Sequence, residues 1–182
     1  MAKSLDKKHA KSLIIEGRKT GKSDKELYTE LAELYYDKKG IALLITGTAK
    51  PENIAKYKIY NNILLGLMGI SILLKVWIVT NLTLATMQPL MMLLVLVVPL
   101  FTAYFMYEIY QYSGPIYRVC GILVIVGFLQ TIGDAGSGID IVINLVFAGS
   151  VAGLCFYLDS KMFPDYSPKN LSKDSNGEYI FF

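Results

Sequence analysis

The chain has 182 residues, 53% of them hydrophobic, and carries 18 Lys+Arg against 15 Asp+Glu, a formal charge of +3. Its mean hydropathy is +0.42, high for a soluble domain, and the apolar residues are gathered into runs rather than spread along the chain. Two cysteines, Cys120 and Cys155, both inside apolar runs, argue against a disulfide framework and read as buried thiols acting as small hydrophobes.

The charge is uneven. Residues 1–58 hold thirteen of the basic groups and eight acids, and the rest of the chain holds five basic groups. The first dozen residues are charged and no apolar core of signal length follows, so the start does not read as a signal peptide. Residues 3–19 read as a basic, moderately amphipathic helix with Leu5, Leu13 and Ile14 on a broad face. Gly17 and Gly21 bracket a turn.

Ser23-Asp24-Lys25-Glu26 has the pattern of a capping box, in which the Ser23 hydroxyl accepts from the Glu26 amide and the Glu26 carboxylate reaches back to Ser23. The helix it starts is expected to run to about Asp37, with Leu27, Leu31 and Leu34 as its apolar stripe and Tyr28, Ala32 and Tyr35 widening it. Lys38 and Lys39 suit the end of that helix dipole, and Gly40 a stop. Ile41 to Ile45 reads as a third helical piece, broken by Thr46-Gly47-Thr48, and Pro51 starts a further helix.

Two sharper patterns in this basic module fail. Gly17 to Ser23 resembles a phosphate loop in letters, but its glycines are one residue too close and no strand precedes them. The outline of helix, glycine turn and helix fits a DNA-binding motif, but the second helix is nearly neutral and rich in Glu, so a nucleic-acid partner is not expected. The only histidine, His9, lies among lysines and reads as a solvated surface residue.

From Asn61 to Leu158 the chain is dominated by four apolar stretches. The spans are expected at about 59–78, 88–110, 115–133 and 139–158. Tyr57, Tyr60, Lys56 and Lys58 mark the entry of the first and Trp77 its exit, as interfacial residues do. Lys75 lies a turn from its end, placed either to snorkel or to pair with an acid on a neighbouring span. Pro99 in the second span predicts a kink. The third is apolar only from Val119 to Leu129, and spans if Tyr117 and Arg118 snorkel and Gln130 to Ile132 complete it. The connector Gly133 to Gly138 reads as a tight extracytoplasmic turn. Gly149-Ser150-Val151-Ala152-Gly153 in the fourth span is a small-residue pattern that lets another helix approach, so Gly149 and Gly153 are candidate helix-packing positions.

The expected fold is an all-α membrane protein: a basic cytoplasmic helical module over residues 1–50, a four-helix transmembrane domain over 51–158, and a short cytoplasmic tail over 159–182. Four spans put both termini on one side. With that side cytoplasmic, 17 of the 18 basic residues lie inside and only Lys75 falls towards the outside, which satisfies the positive-inside rule. The expected location is the cell membrane, of bacterial cytoplasmic type. In the tail, Glu178 to Phe182 reads as a short strand folding back after the turn at Asp174 to Gly177.

Lys75, Gln130, Asp140 and Asn144 are the polar groups expected at membrane depth near the outer side. Asp140 and Asn144 share one helix face at i, i+4. The cost of leaving such groups against lipid makes them a candidate intramembrane polar cluster, with Lys75 paired to Asp140. No Cys/His cluster has metal spacing and no cooperating catalytic pair is visible, so no cofactor and no enzymatic activity are expected. The expected role is a non-enzymatic assembly or interaction component, partnered by the bilayer and by a second copy or another membrane protein. A small oligomeric transporter or channel component is the alternative.

Overall fold

The structure is a computed structural model; it describes residues 3–86, 89–132, 138–166 and 179, with some side chains in the apolar helices outside that description. Among the described residues there are seven helices and no strands: α1 Lys7–Lys19, α2 Asp24–Leu34, α3 Lys38–Thr46, α4 Pro51–Thr86, α5 Pro89–Tyr110, α6 Gly114–Ile132 and α7 Gly138–Met162. The chain divides into two compact units. The first holds residues 1–57, 112–115 and 159–182, and the second 58–111 and 116–158.

The first unit is built on α1, α2 and α3. α1 begins at Lys7, later than its sequence suggests, because the Asp6 carboxylate caps it by accepting from the Lys8 and His9 amides at 3.0 and 3.2 Å. The residues before it are extended, and Lys3 bridges Tyr35 in parallel. α2 begins with the expected capping box: the Glu26 amide donates to the Ser23 hydroxyl at 3.3 Å, and the Ser23 amide donates to the Glu26 carboxylate at 2.8 Å.

α2 ends at Leu34, three residues before the expected stop. Asp37 belongs to the next helix, capping α3 by accepting from the Gly40 amide at 2.9 Å. Gly40 is therefore inside α3 rather than terminating α2, and Lys38 and Lys39 open α3 rather than close α2. Ala10 and Ile14, Leu27, Leu31 and Tyr35, and Ile41 and Ile45 form one buried core. Tyr35 takes the place expected of Leu34, which is 50% exposed. Leu5 and Leu13 pack at the edge.

The residues around Gly47 complete this unit. The Gly114 amide donates to the Gly47 carbonyl at 2.9 Å, and Thr48 bridges Ser113 antiparallel. The approach demands glycine at 114: a Cβ there would lie 2.9 Å from both the Gly47 oxygen and the Phe163 ring. Asn53 donates from its side chain to the Met162 carbonyl at 3.2 Å. Of the expected tail strand only Tyr179 is described; its ring meets Tyr28 edge-on at 5.7 Å.

The second unit consists of α4 from Lys58 onward, α5, α6 and α7 up to Leu158. Asn61, Ile109 and Tyr117 tie three of these helices together. The Tyr117 hydroxyl bonds the Asn61 amide oxygen at 2.6 Å and the Ile109 carbonyl at 3.1 Å, and the Asn61 nitrogen donates to the same carbonyl at 3.4 Å. All three are buried. Tyr60 on α4 meets Tyr157 on α7 edge-on at 5.5 Å.

Four spans were expected. Among the described residues two helical stretches are long and apolar enough to cross a membrane, Pro51–Trp77 and Ile141–Met162, and Gly114–Gln130 is a shorter apolar helix. Only 17% and 22% of the two long windows are buried, whereas the core helix of a soluble domain buries its apolar residues. α5 carries Pro99 within it; side chains over much of its first half lie outside the described residues.

Candidate functional site

The four helices of the second unit line an open cavity of about 800 Å³, within the range of small-molecule sites. Each helix contributes one face. α4 supplies Met68, Ser71, Leu74 and Lys75, and α7 supplies Asn144, Phe147, Ala148 and Val151, both at helical spacing. α5 supplies Val97, Phe101, Thr102 and Phe105, and α6 presents Cys120, Leu123, Val124, Gly127 and Phe128. The lining is chiefly apolar. Its polar groups are the Ser71 and Thr102 hydroxyls, the Lys75 ammonium, the Asn144 amide and the Cys120 thiol.

Lys75 donates to the Thr102 hydroxyl at 3.3 Å. Thus the ammonium turns to α5, and among the described residues it has no carboxylate partner. The expected pairing with Asp140 lies outside the described residues, because the Asp140 side chain is not described. Of the four candidate polar residues, Lys75 and Asn144 line the same cavity; Gln130 is exposed and does not line it. Thr102 and Ser71 were missed in the sequence, where isolated hydroxyls in an apolar run carry no distinguishing signal.

Cys120 on α6 and Cys155 on α7 are buried thiols not joined in a disulfide. Neighbouring Gly121 lets α6 approach: a Cβ there would lie 3.0 Å from the Phe156 ring and 3.3 Å from the Cys155 Cβ. On α7, Gly149 and Gly153 are exposed, and a Cβ at either meets nothing within 4 Å. Their face is therefore not used for packing among the described residues.

The first unit contains a second polar cluster, and it is a structural one. Arg18 leaves the last turn of α1, bonds Asp24 at 2.8 Å and donates to the Thr48 and Ile45 carbonyls at 2.6 and 3.0 Å. It thereby ties α1 and α2 to the backbone at and just after the end of α3. Lys50 stands 3.6 Å from Asp24 and 3.9 Å from Asp165. Burial holds the Asp165 carboxyl above the usual carboxylate range, Lys50 lowers it and the charge of Asp24 raises it further. Glu26 is held below that range, first by the Ser23 amide, then by the Ser23 hydroxyl and Lys22.

The letters resembling a phosphate loop resolve into packing. Gly17 is buried against Leu27, whose side chain a Cβ would strike, and Gly21 takes a positive φ of 83° in the turn. His9 is exposed but not merely solvated: its Nδ1 lies 2.7 Å from the hydroxyl of buried Tyr35. Among the described residues no group of three His, Cys, Asp or Glu side chains is placed to hold a metal ion.

No family model matches this chain, and neither does any curated protein or any solved structure.

Proposed function

We propose that the chain is a non-enzymatic, multi-pass integral membrane protein, with α4 to α7 all crossing the bilayer and both termini cytoplasmic, and that its membrane unit binds a small lipophilic molecule. Support for the spans comes from apolar side chains turned outward on every one of these helices: Leu73 is 72% exposed, Leu100 66%, Leu129 60% and Val142 58%. Contiguous apolar surface of this kind is costly in water and favourable in lipid. The basic residues of the amino-terminal module and the tail favour a cytoplasmic side for both.

The observation that carries the binding role is the cavity, walled by all four helices and holding a few polar groups on an otherwise apolar lining. A continuous aqueous path is less well supported, because spans two and three have almost no polar residues in their middles. The alternative that the protein handles a solute is thus narrowed to a lipophilic one.

Two measurements test this. Single cysteines at Ser12, Gly136 and Ser175 should label from the cytoplasmic, external and cytoplasmic sides respectively; labelling of all three from one side contradicts four spans. Solvent extraction of the purified protein should release a lipophilic small molecule that is depleted in a Val124→Trp variant, whose indole projects into the cavity and obstructs it. Equal recovery from both proteins contradicts the binding role.

A second reading, assembly with another membrane protein or a second copy, is favoured by the open α7 face at Gly149 and Gly153. Replacing both by Leu should then dissociate the complex while leaving the monomer folded.

A further inference from the structure

The cavity has an electrical asymmetry that narrows what it takes. Its described lining carries one formal charge, the Lys75 ammonium, and no acid. A hydroxyl at Thr102 bonds that ammonium directly. Ser71 and Asn144 add further donors to the same lining, while Met68, Leu74, Phe105 and Leu123 supply apolar surface beyond it. Lys75 is exposed at the mouth of the cavity; at membrane depth such an ammonium is costly unless an anion or polar partner meets it, and among the described residues its partner is a neutral hydroxyl.

We infer that the cavity binds a single-chain anionic amphiphile, a long-chain carboxylate of the fatty-acid class, with its carboxylate on Lys75 and Thr102 and its acyl chain along the apolar wall. One ammonium matches the single charge of a carboxylate, and the hydroxyl at Thr102 offers a second donor to its other oxygen. The volume of about 800 Å³ has room for one extended acyl chain. This assignment rests on the cavity being a ligand site, and the test separates the two claims.

The full-length protein in a non-ionic detergent is titrated with palmitate and, separately, with hexadecanol, which has the same chain and no charge. Wild type should bind both, palmitate more tightly. Lys75→Met should weaken palmitate about ten- to hundredfold, the worth of a charged hydrogen bond, and weaken hexadecanol, whose hydroxyl is only a neutral acceptor for the ammonium, much less. Lys75→Arg should retain most of the palmitate affinity, and Val124→Trp should lose both ligands. Thermal unfolding of each variant near that of wild type shows that the fold is intact.

If Lys75→Met binds palmitate as wild type does while Val124→Trp loses both ligands, the site stands and its anion preference is overturned. If neither ligand binds wild type and solvent extraction releases nothing, the site itself is overturned. If a two-chain anionic phospholipid is extracted from the cavity and palmitate does not displace it, the single-chain assignment is overturned.

Discussion

The Arg18 guanidinium lies 2.8 Å from the Asp24 carboxylate, with side-chain exposures of only 6% and 12%. It joins the end of α1 to the start of α2, and the same side chain reaches the end of α3. Removing Arg18 leaves Asp24 with only the longer Lys50 contact at 3.6 Å and takes the guanidinium donors from two carbonyls. Arg18→Ala is therefore expected to destabilise the first unit by about 3–5 kcal/mol. Arg18→Lys should recover only part of this, since an ammonium lacks the planar fork that serves three acceptors. Limited proteolysis and thermal unfolding of the full-length protein check both. A Lys variant as stable as wild type would show that the fork geometry is unimportant.

The two shifted carboxylates give opposite pH signatures. Glu26 is held low, so its contribution is present above its ordinary range and is lost as pH falls through the lowered value. Glu26→Gln should be less stable than wild type at neutral pH and equal to it in strong acid. Asp165 is held high, so its ionisation costs stability as pH rises through the raised value. Asp165→Asn should match or exceed wild-type stability at neutral pH, despite losing the Lys50 contact, and the difference should vanish in acid. Unfolding curves across pH decide this, and a neutral-pH loss in Asp165→Asn would contradict it.

The Asn61–Tyr117 bond joins α4 to α6 at a buried site. Tyr117→Phe should cost about 1 kcal/mol. A double-mutant cycle with Asn61→Ala should return a coupling of roughly 1 kcal/mol, since each variant already breaks the shared bond. Additive losses would mean that the two side chains act independently.

Local chemistry was readable in advance, and long-range chemistry was not. The Ser23–Glu26 capping box is a four-residue pattern whose partners are its own neighbours, and it stands as expected. Asp37 also caps with its side chain, but Gly40 three residues later has the sequence signature of a stop, so the pattern alone extends α2 too far. Arg18 could be counted only as one more basic residue, because two of its partners are backbone carbonyls 27 and 30 residues away. Helical periodicity likewise cannot say which polar residue meets which: Lys75 and Asn144 share a cavity, yet the hydroxyl that Lys75 bonds is Thr102, 27 residues on in an apolar run.

The most direct measurement is the intact mass of the complex extracted gently from native membranes, followed by activation in the gas phase. The binding account predicts the chain, alone or as copies of itself, carrying a small lipophilic molecule that dissociates on activation and is depleted in Val124→Trp. A chain with no small molecule attached and a stoichiometric foreign protein in its place would contradict that account and establish the assembly role instead.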